Sequence, residues 1–277
     1  MGRVGARGTV MLLLALGAGL GSLAYAQRGG GEFMNIPPRF APDPMPDRDF
    51  AVCRIMYDSV RREPAGGGWR TDYPYGEINL STRFSELTRT RISRRNGEPS
   101  HYVVRLTDDA LFGCPFTLAS DVGTIGLSDD EAARLRTYLL KGGFLWVDDF
   151  WGSAAWEQWA LEIGKVLDPV TYPIEDVPLS DPIFRAQFLV TDVPQITNIG
   201  FWRRSGGLET RERDDDSPYA SFRAIRDQKG RIMVVMTYNT DVADSWEREG
   251  EDPEFFEQFS PAGYALGINV LLHAMTH

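Results

Sequence analysis

Residues 127–151, LSDDEAARLRTYLLKGGFLWVDDFW, spell out one complete α/β unit, and their reading decides the fold. Ser128 followed by Glu131 is a capping box, and Leu127 and Ala132 stand where a hydrophobic staple closes the same helix start. Ala132, Leu135 and Leu139 share one helical face. Gly142 and Gly143 stop the helix where a left-handed residue is needed. The apolar run 144–147 is of the kind that is buried on both faces of a parallel sheet. Asp148, Asp149, Phe150 and Trp151 therefore fall at the carboxyl end of a strand, the edge at which open α/β sheets bind ligands.

Working outward, the same alternation continues on both sides. FAVCRIMY (50–57) reads as the first strand. The loop GGGWRTDYPYGEIN (66–79) follows, with Asn79 as N-cap of a helix over LSTRFSELTRT (80–90). VVRLT (103–107) and PFTLAS (115–120) read as the second and third strands, ahead of the 128–141 helix and the 144–148 strand. In the helix predicted over 154–167, Trp156, Trp159, Ile163 and Val166 recur near helical spacing and belong to the core. FRAIRD and RIMVVMTYN flank a DQKG turn and read as a late hairpin, and PAGYALGINVLLHAMTH as an apolar C-terminal helix. Residues 203–217, RRSGGLETRERDDDS, are charged enough to read as a solvated loop. Strands and helices alternating in this way predict a mostly parallel sheet covered on both faces.

A chain of 277 residues with 43% hydrophobic content buries a substantial core, and its length suits one elaborated domain. Residues 1–26 read as a signal peptide. Arg3 and Arg7 precede an apolar stretch at 10–24, and Ala24, Tyr25 and Ala26 form a cleavage site before Gln27. A retained anchor is the alternative, but the apolar run falls short of the ~20 residues of a spanning helix. The mature protein is therefore expected to be periplasmic or secreted, without stable membrane insertion, and no cysteine follows the cleavage site to carry a lipid. Residues 27–49 form a Gly/Pro-rich leader, and the domain occupies 50–277. A formal net charge of −10 argues against nucleic acid as a partner, which needs clustered Lys and Arg. The chain's two cysteines, Cys53 and Cys114, read equally as a bridge or as buried free thiols.

The strand ends in order carry Tyr57 and Asp58, Ser120 and Asp121, Asp148 and Asp149, and Tyr238, Asn239 and Asp241. Trp69, Asp72 and Tyr73 join them from the first long loop, as do Asp181, Asp244 and Trp246 from later turns. Carboxylates among aromatics admit a hard divalent cation, a gripped sugar, or an acid–base pair for glycoside hydrolysis. The competing reading is that Asp and Asn here cap helices and mark turns. His273 and His277 lie four apart on one helix side. They lack the glutamate of an HExxH site and His277 ends the chain, so neither is expected to ligate a metal. His101 has no acidic partner nearby in sequence, and no GxSxG elbow is present.

Taken together, RIMYDS (54–59), WRTDYP (69–74), NL (79–80), RLTDDALFGCPF (105–116), LSDDEAARLRTYLLKGGFLWVDDFWG (127–152), DPIF (181–184), the late YN and W, and GINVLLHAMTH (267–277) resemble the bacterial family called domain of unknown function 4159. The resemblance covers roughly residues 50–277. It implies a class I glutamine amidotransferase-like fold, a flavodoxin-like three-layer α/β/α sandwich. It also implies that VDDFWG occupies the nucleophile turn, so that Asp148 or Asp149 stands where amidotransferases carry cysteine. Amidotransferase chemistry is therefore not expected. The family's histidine before the proline of DPIF is replaced by Asp181, which removes a general base. In such a sheet the first and third strands are neighbours, which brings Cys53 and Cys114 into reach of each other.

The sequence thus points to an exported single-domain protein that binds a small polar or carbohydrate-like ligand at the strand ends. Asp148, Asp149 and Trp151 would form the floor, with Asp58, Trp69, Asp72, Tyr73, Asp121 and Asn239 around it. No cofactor is expected, a divalent cation being the one addition these acids admit. Two rivals stand beside it: a carboxylate- or metal-dependent hydrolase using Asp148 and Asp149, and an envelope module that meets a partner protein through exposed loops such as 203–217.

Overall fold

The computed structural model describes residues 36–277. The expected signal peptide and its cleavage after Ala26 lie outside the described residues. A seven-stranded sheet forms from β1 (Val52–Met56), β2 (His101–Arg105), β3 (Thr117–Ser120), β4 (Leu145–Asp148), β5 (Ile174–Asp176), β6 (Ser221–Arg226) and β7 (Ile232–Tyr238). Their order is β2-β1-β3-β4-β7-β6-β5. The first five in that order pair in parallel, which is the flavodoxin-like arrangement, and β6 and β5 extend it antiparallel through the expected late hairpin.

Both faces are covered because the parallel strands are apolar on both. Cys53, Ile55, Leu145 and Val147 meet Leu135 and Leu139 of α2 (Asp129–Leu140), and Ala155, Trp159 and Ile163 of α3 (Gly152–Val166). On the opposite face, Val52, Leu118, Trp146 and Val235 meet Leu80 and Phe84 of α1 (Tyr75–Thr88), and Leu266 and Val270 of a long C-terminal helix. The capping box of α2 forms as its sequence predicts, with Glu131 N donating to Ser128 Oγ and Ser128 N donating to Glu131.

Three boundaries differ from expectation. Helix α1 starts at Tyr75 rather than after Asn79, which is buried inside it and donates from Nδ2 to Trp246 O at 2.7 Å. An asparagine that signals a cap in sequence is here spent on a tertiary hydrogen bond. The last helix begins not at Pro261 but at Pro253, where Asp252 caps it by accepting from Glu254 N. Helix α3 begins at Gly152, directly after the acidic strand end. Residues 39–41 of the leader run along β2, with Ala41 N donating to Val103 O and Val103 N to Arg39 O, and so cover an edge that would otherwise expose unpaired backbone. Among the described residues no helix is long and apolar enough to cross a membrane.

Cys53 and Cys114 form a disulfide with a Cα–Cα distance of 6.1 Å across a separation of 61 residues. The pairing follows from β1 and β3 being neighbours. Closing a loop of that length stabilises a fold by about 4 kcal/mol through the unfolded state. Denaturant titration of the Cys53→Ala/Cys114→Ala variant should show a loss of this order; a loss under 1 kcal/mol would mean the bridge does not constrain the unfolded chain.

Candidate functional site

Three parallel strands end in the same way. Asp121, Asp149 and Asn239, the residues immediately after β3, β4 and β7, have φ of 53°, 53° and 58°. Left-handed backbone suits Asp and Asn better than other side-chain-bearing residues, so each strand end turns off the sheet with a polar residue for a conformational reason first. Two of the three are then absorbed locally. Asp121 Oδ2 accepts from Gly68 N at 2.8 Å, and Asn239 Oδ1 accepts from Gly152 N at 2.9 Å. Asp149 turns into the crevice, steadied by Trp151 Nε1 at 2.9 Å.

Asp148 points to the other side of the strand. One of its oxygens accepts from Thr237 Oγ1 at 2.5 Å and the other from Ala243 N at 2.8 Å, so it ties β7 and the loop after it to β4. Of the two expected floor acids, Asp148 is therefore a buried tether and Asp149 the one that faces the crevice. Asp148→Ala should cost about 2 kcal/mol by urea titration, since it leaves a buried amide without its partner; a change within 0.5 kcal/mol would refute the tether.

Asp72 is the centre of the site. Loop 61–72 carries it over the sheet edge with φ 66°. Its Oδ2 accepts from Ser120 Oγ at 2.9 Å, Ser120 Oγ accepts from Arg54 Nη1 at 2.6 Å, and Arg54 Nε donates to Glu77 at 2.5 Å. Carboxylate oxygens of Asp72, Asp149 and Asp241 lie within 4.8 Å of one another, as do those of Asp72, Asp244 and Glu247. Asp72 belongs to both groups. Asp241 and Asp244 come from the loop after β7, held by Asp244 N donating to Asp241 Oδ1 and by Ile199 N donating to Asp244 Oδ2.

Packing so many acids together perturbs their titration. Burial pushes Asp72 up to about 7, with Asp244 and Asp148 adding to it against the pull of Arg54. Burial, then the charge of Asp72 and Asp121, holds Asp149 well above the usual carboxylate range; burial, then Asp149 and Asp72, does the same for Asp241. Asp121 rises to about 7 and Asp148 to about 6, burial being the first cause in each.

The space around the acids is small. A chamber of about 20 Å³, room for a single water or ion, is lined by residues that include Asp121, Asp149, Trp151, Glu212 and Asp241. A second, of about 120 Å³, opens beside Arg70, Asp72, Tyr73, Asn198, Asp244 and Glu247.

Other expected residues lie apart. Asp58 is exposed on a two-residue ladder with Gly126, outside the cluster. Trp69 packs on Tyr73 at 5.7 Å and against the core, and Tyr73 Oη accepts from Arg39 N at 3.0 Å, so Tyr73 is turned to the N-terminal segment; of the two only Tyr73 touches the outer chamber. His273 stacks on His277 at 4.4 Å, with burial lowering it to about 4. The segment 203–217, expected as a solvated loop, instead roofs the small chamber: Glu212 is held inward by Thr197 Oγ1 at 2.9 Å and Asn198 N at 2.7 Å. Arg54, Glu77, Glu212 and Glu247 were not singled out from sequence. The available signal was Arg54 itself, a cation in the middle of an apolar strand, which requires a buried carboxylate partner.

With both cysteines bridged, neither supplies a thiolate nucleophile. No curated protein matches the chain. The model of the family described as domain of unknown function (DUF4159) matches residues 52–275, a span that takes in the sheet, the five clustered carboxylates and the loops that carry them; the chain belongs to that family.

Proposed function

We propose that this protein is an exported binding protein whose crevice holds a hard divalent cation among Asp72, Asp149 and Asp241, with Asp244 and Glu247 alongside. The observation that carries the reading is the convergence of four other carboxylates on Asp72, facing Arg54, already matched by Glu77, and Arg248. Oxygen-only donors suit Ca²⁺, Mg²⁺ or Mn²⁺ rather than thiolate- or imidazole-seeking metals. The crevice sits in an amidotransferase-like sheet in which Asp149 takes the turn used elsewhere by a nucleophile. Beyond the cation, the outer chamber suits a small polar ligand. Its volume of about 120 Å³ is below the ~300 Å³ of ordinary ligand pockets, which favours a group of a few atoms over a whole sugar ring. The Cys53–Cys114 bridge supports export, because disulfides persist in oxidising compartments.

One observation favours a second reading, a metal-dependent hydrolase. Asp72 shared between two carboxylate groups is the arrangement in which one carboxylate bridges two cations. Asp149, rather than the tethered Asp148, would then be the acid whose replacement by asparagine abolishes turnover while the fold survives.

Thermal unfolding of residues 27–277 against Ca²⁺, Mg²⁺ and Mn²⁺ tests the binding reading. A cation at 100 times its dissociation constant adds about 2.7 kcal/mol, a rise of roughly 5 to 10 °C for a domain of this size. No rise with any of the three would refute it.

A further inference from the structure

We propose that loops 61–68 and 205–217 form a two-part lid over the small chamber on the Asp149 and Asp241 side of the carboxylate cluster, latched by the pairing of Arg213 with Glu63. The inference rests on the cation reading for what passes beneath the lid, and adds how the site is reached.

Both segments line the small chamber, and they meet each other across it. Arg213 Nη2 lies 3.2 Å from Glu63 Oε2 and donates to Pro64 O at 3.2 Å, so one side chain of the second loop grips both a side chain and a backbone carbonyl of the first. Arg61 also pairs with Glu63 and anchors it by donating to Gly123 O at 2.8 Å. The Glu63 side chain is only 7% exposed and that of Arg213 20%, which makes the pair stronger than a solvated surface bridge. Beneath them the chamber has room for one small ion beside Asp149 and Asp241, so parting of the loops widens access to the cluster from that side, the outer chamber beside Asp72 and Asp244 lying on the other.

Each loop has a place to bend and a place to hold. The first runs through Ala65 at φ 65° and Gly68 at φ 61°, and Gly68 N is fastened to Asp121. The second leaves α4 (Ile199–Arg204) through Gly206 and Gly207 at φ 72° and 81°. It is fastened beyond the latch by Asp216 Oδ2, which accepts from Ser153 N at 2.9 Å at the start of α3. Between these fixed points the latch is the contact that joins the two halves. Breaking it uncouples the two halves without touching a carboxylate of the cluster.

Two measurements on the mature chain decide this. In hydrogen–deuterium exchange, Arg213→Ala and Glu63→Gln should each accelerate the amides of both segments together, while β4 and α3 keep the parent's protection. In stopped-flow binding of Tb³⁺, sensitised by Trp151 beside Asp149, both variants should raise the association and dissociation rates alike, by about tenfold, the equivalent of a latch worth ~1.4 kcal/mol. Acceleration confined to the mutated loop, or a change in the dissociation rate only, would overturn the latch. If the parent binds no Tb³⁺, the cation reading falls, and the exchange experiment still decides whether the two loops open as one.

Discussion

Asp72→Asn should raise the unfolding temperature of the cation-free protein at pH 8 and remove its response to calcium. Both effects have one cause. Asp72 is buried among Asp149, Asp241, Asp244 and Glu247, and folding lifts its carboxyl from 3.8 to about 7. At pH 8 that carboxyl is ionised in the unfolded chain and must stay ionised against its neighbours in the folded one. A shift of about three units at ~1.36 kcal/mol each puts the strain on the order of 4 kcal/mol. Asparagine removes the charge and keeps an oxygen to accept from Ser120, so a net gain of about 2 kcal/mol is expected after the weakened contact with the Arg54–Ser120 chain is subtracted. Because Asp72 is common to both carboxylate groups, no other single substitution disturbs both at once. Calorimetry with a chelator and then with calcium reads both halves. A lower melting temperature without cation would mean that Arg54 holds Asp72 ionised at no cost, and the electrostatic case for a bound cation would fail. Asp58→Asn is the matched control, since Asp58 is exposed and should change neither quantity.

Without cation, stability should rise as the pH falls from about 8 to about 5, the opposite of ordinary acid denaturation. Asp72 and Asp121 titrate near 7 and Asp148 near 6 in the folded protein, and Asp149 and Asp241 are raised as well. Between about 4 and 7 the folded state binds more protons than the unfolded one, so stability decreases with rising pH. The penalty is absent below the unfolded value and complete above the folded one. At lower pH the balance reverses: Glu209, lowered to about 2 by Arg211, and Asp252, held down by Phe255 N and Arg203, contribute stability that is lost as they protonate. With saturating calcium the clustered carboxylates stay ionised around the ion and protons compete with it, so stability should fall on acidification from pH 7. Denaturant titrations at successive pH values, with chelator and with calcium, should therefore give slopes of opposite sign. Slopes of the same sign in the two series would exclude a cation held by these carboxylates.

The α2–β4 unit was legible because its signals are local. The Ser128–Glu131 box, the helical face of Leu135 and Leu139, and the Gly142–Gly143 stop all act within one turn of the chain, and the structure keeps each of them. The acidic strand end was legible for the same reason, but its division of labour was not. Asp148 and Asp149 are adjacent and chemically identical. One is consumed by Thr237 and Ala243, about ninety residues away, and the other is turned into the crevice by a left-handed backbone. Asn79 failed as a cap for a similar reason, its amide being taken by Trp246.

By itself, then, the sequence determined the alternating α/β order, the edge at which polar residues collect, and the acidic character of that edge, since periodicity, capping and turn chemistry are written within a few residues of one another. Only the tertiary structure decided which acids meet. Loop 61–72 brings Asp72 to Asp149 and Asp241, the loop after β7 brings Asp244 and Glu247, and segment 203–217, polar enough to pass for a solvated loop, is folded inward by Glu212 and Arg213. Those juxtapositions depend on the order of strands in the sheet and on contacts between residues far apart in the chain, where charge and spacing along the sequence carry no record of distance in space.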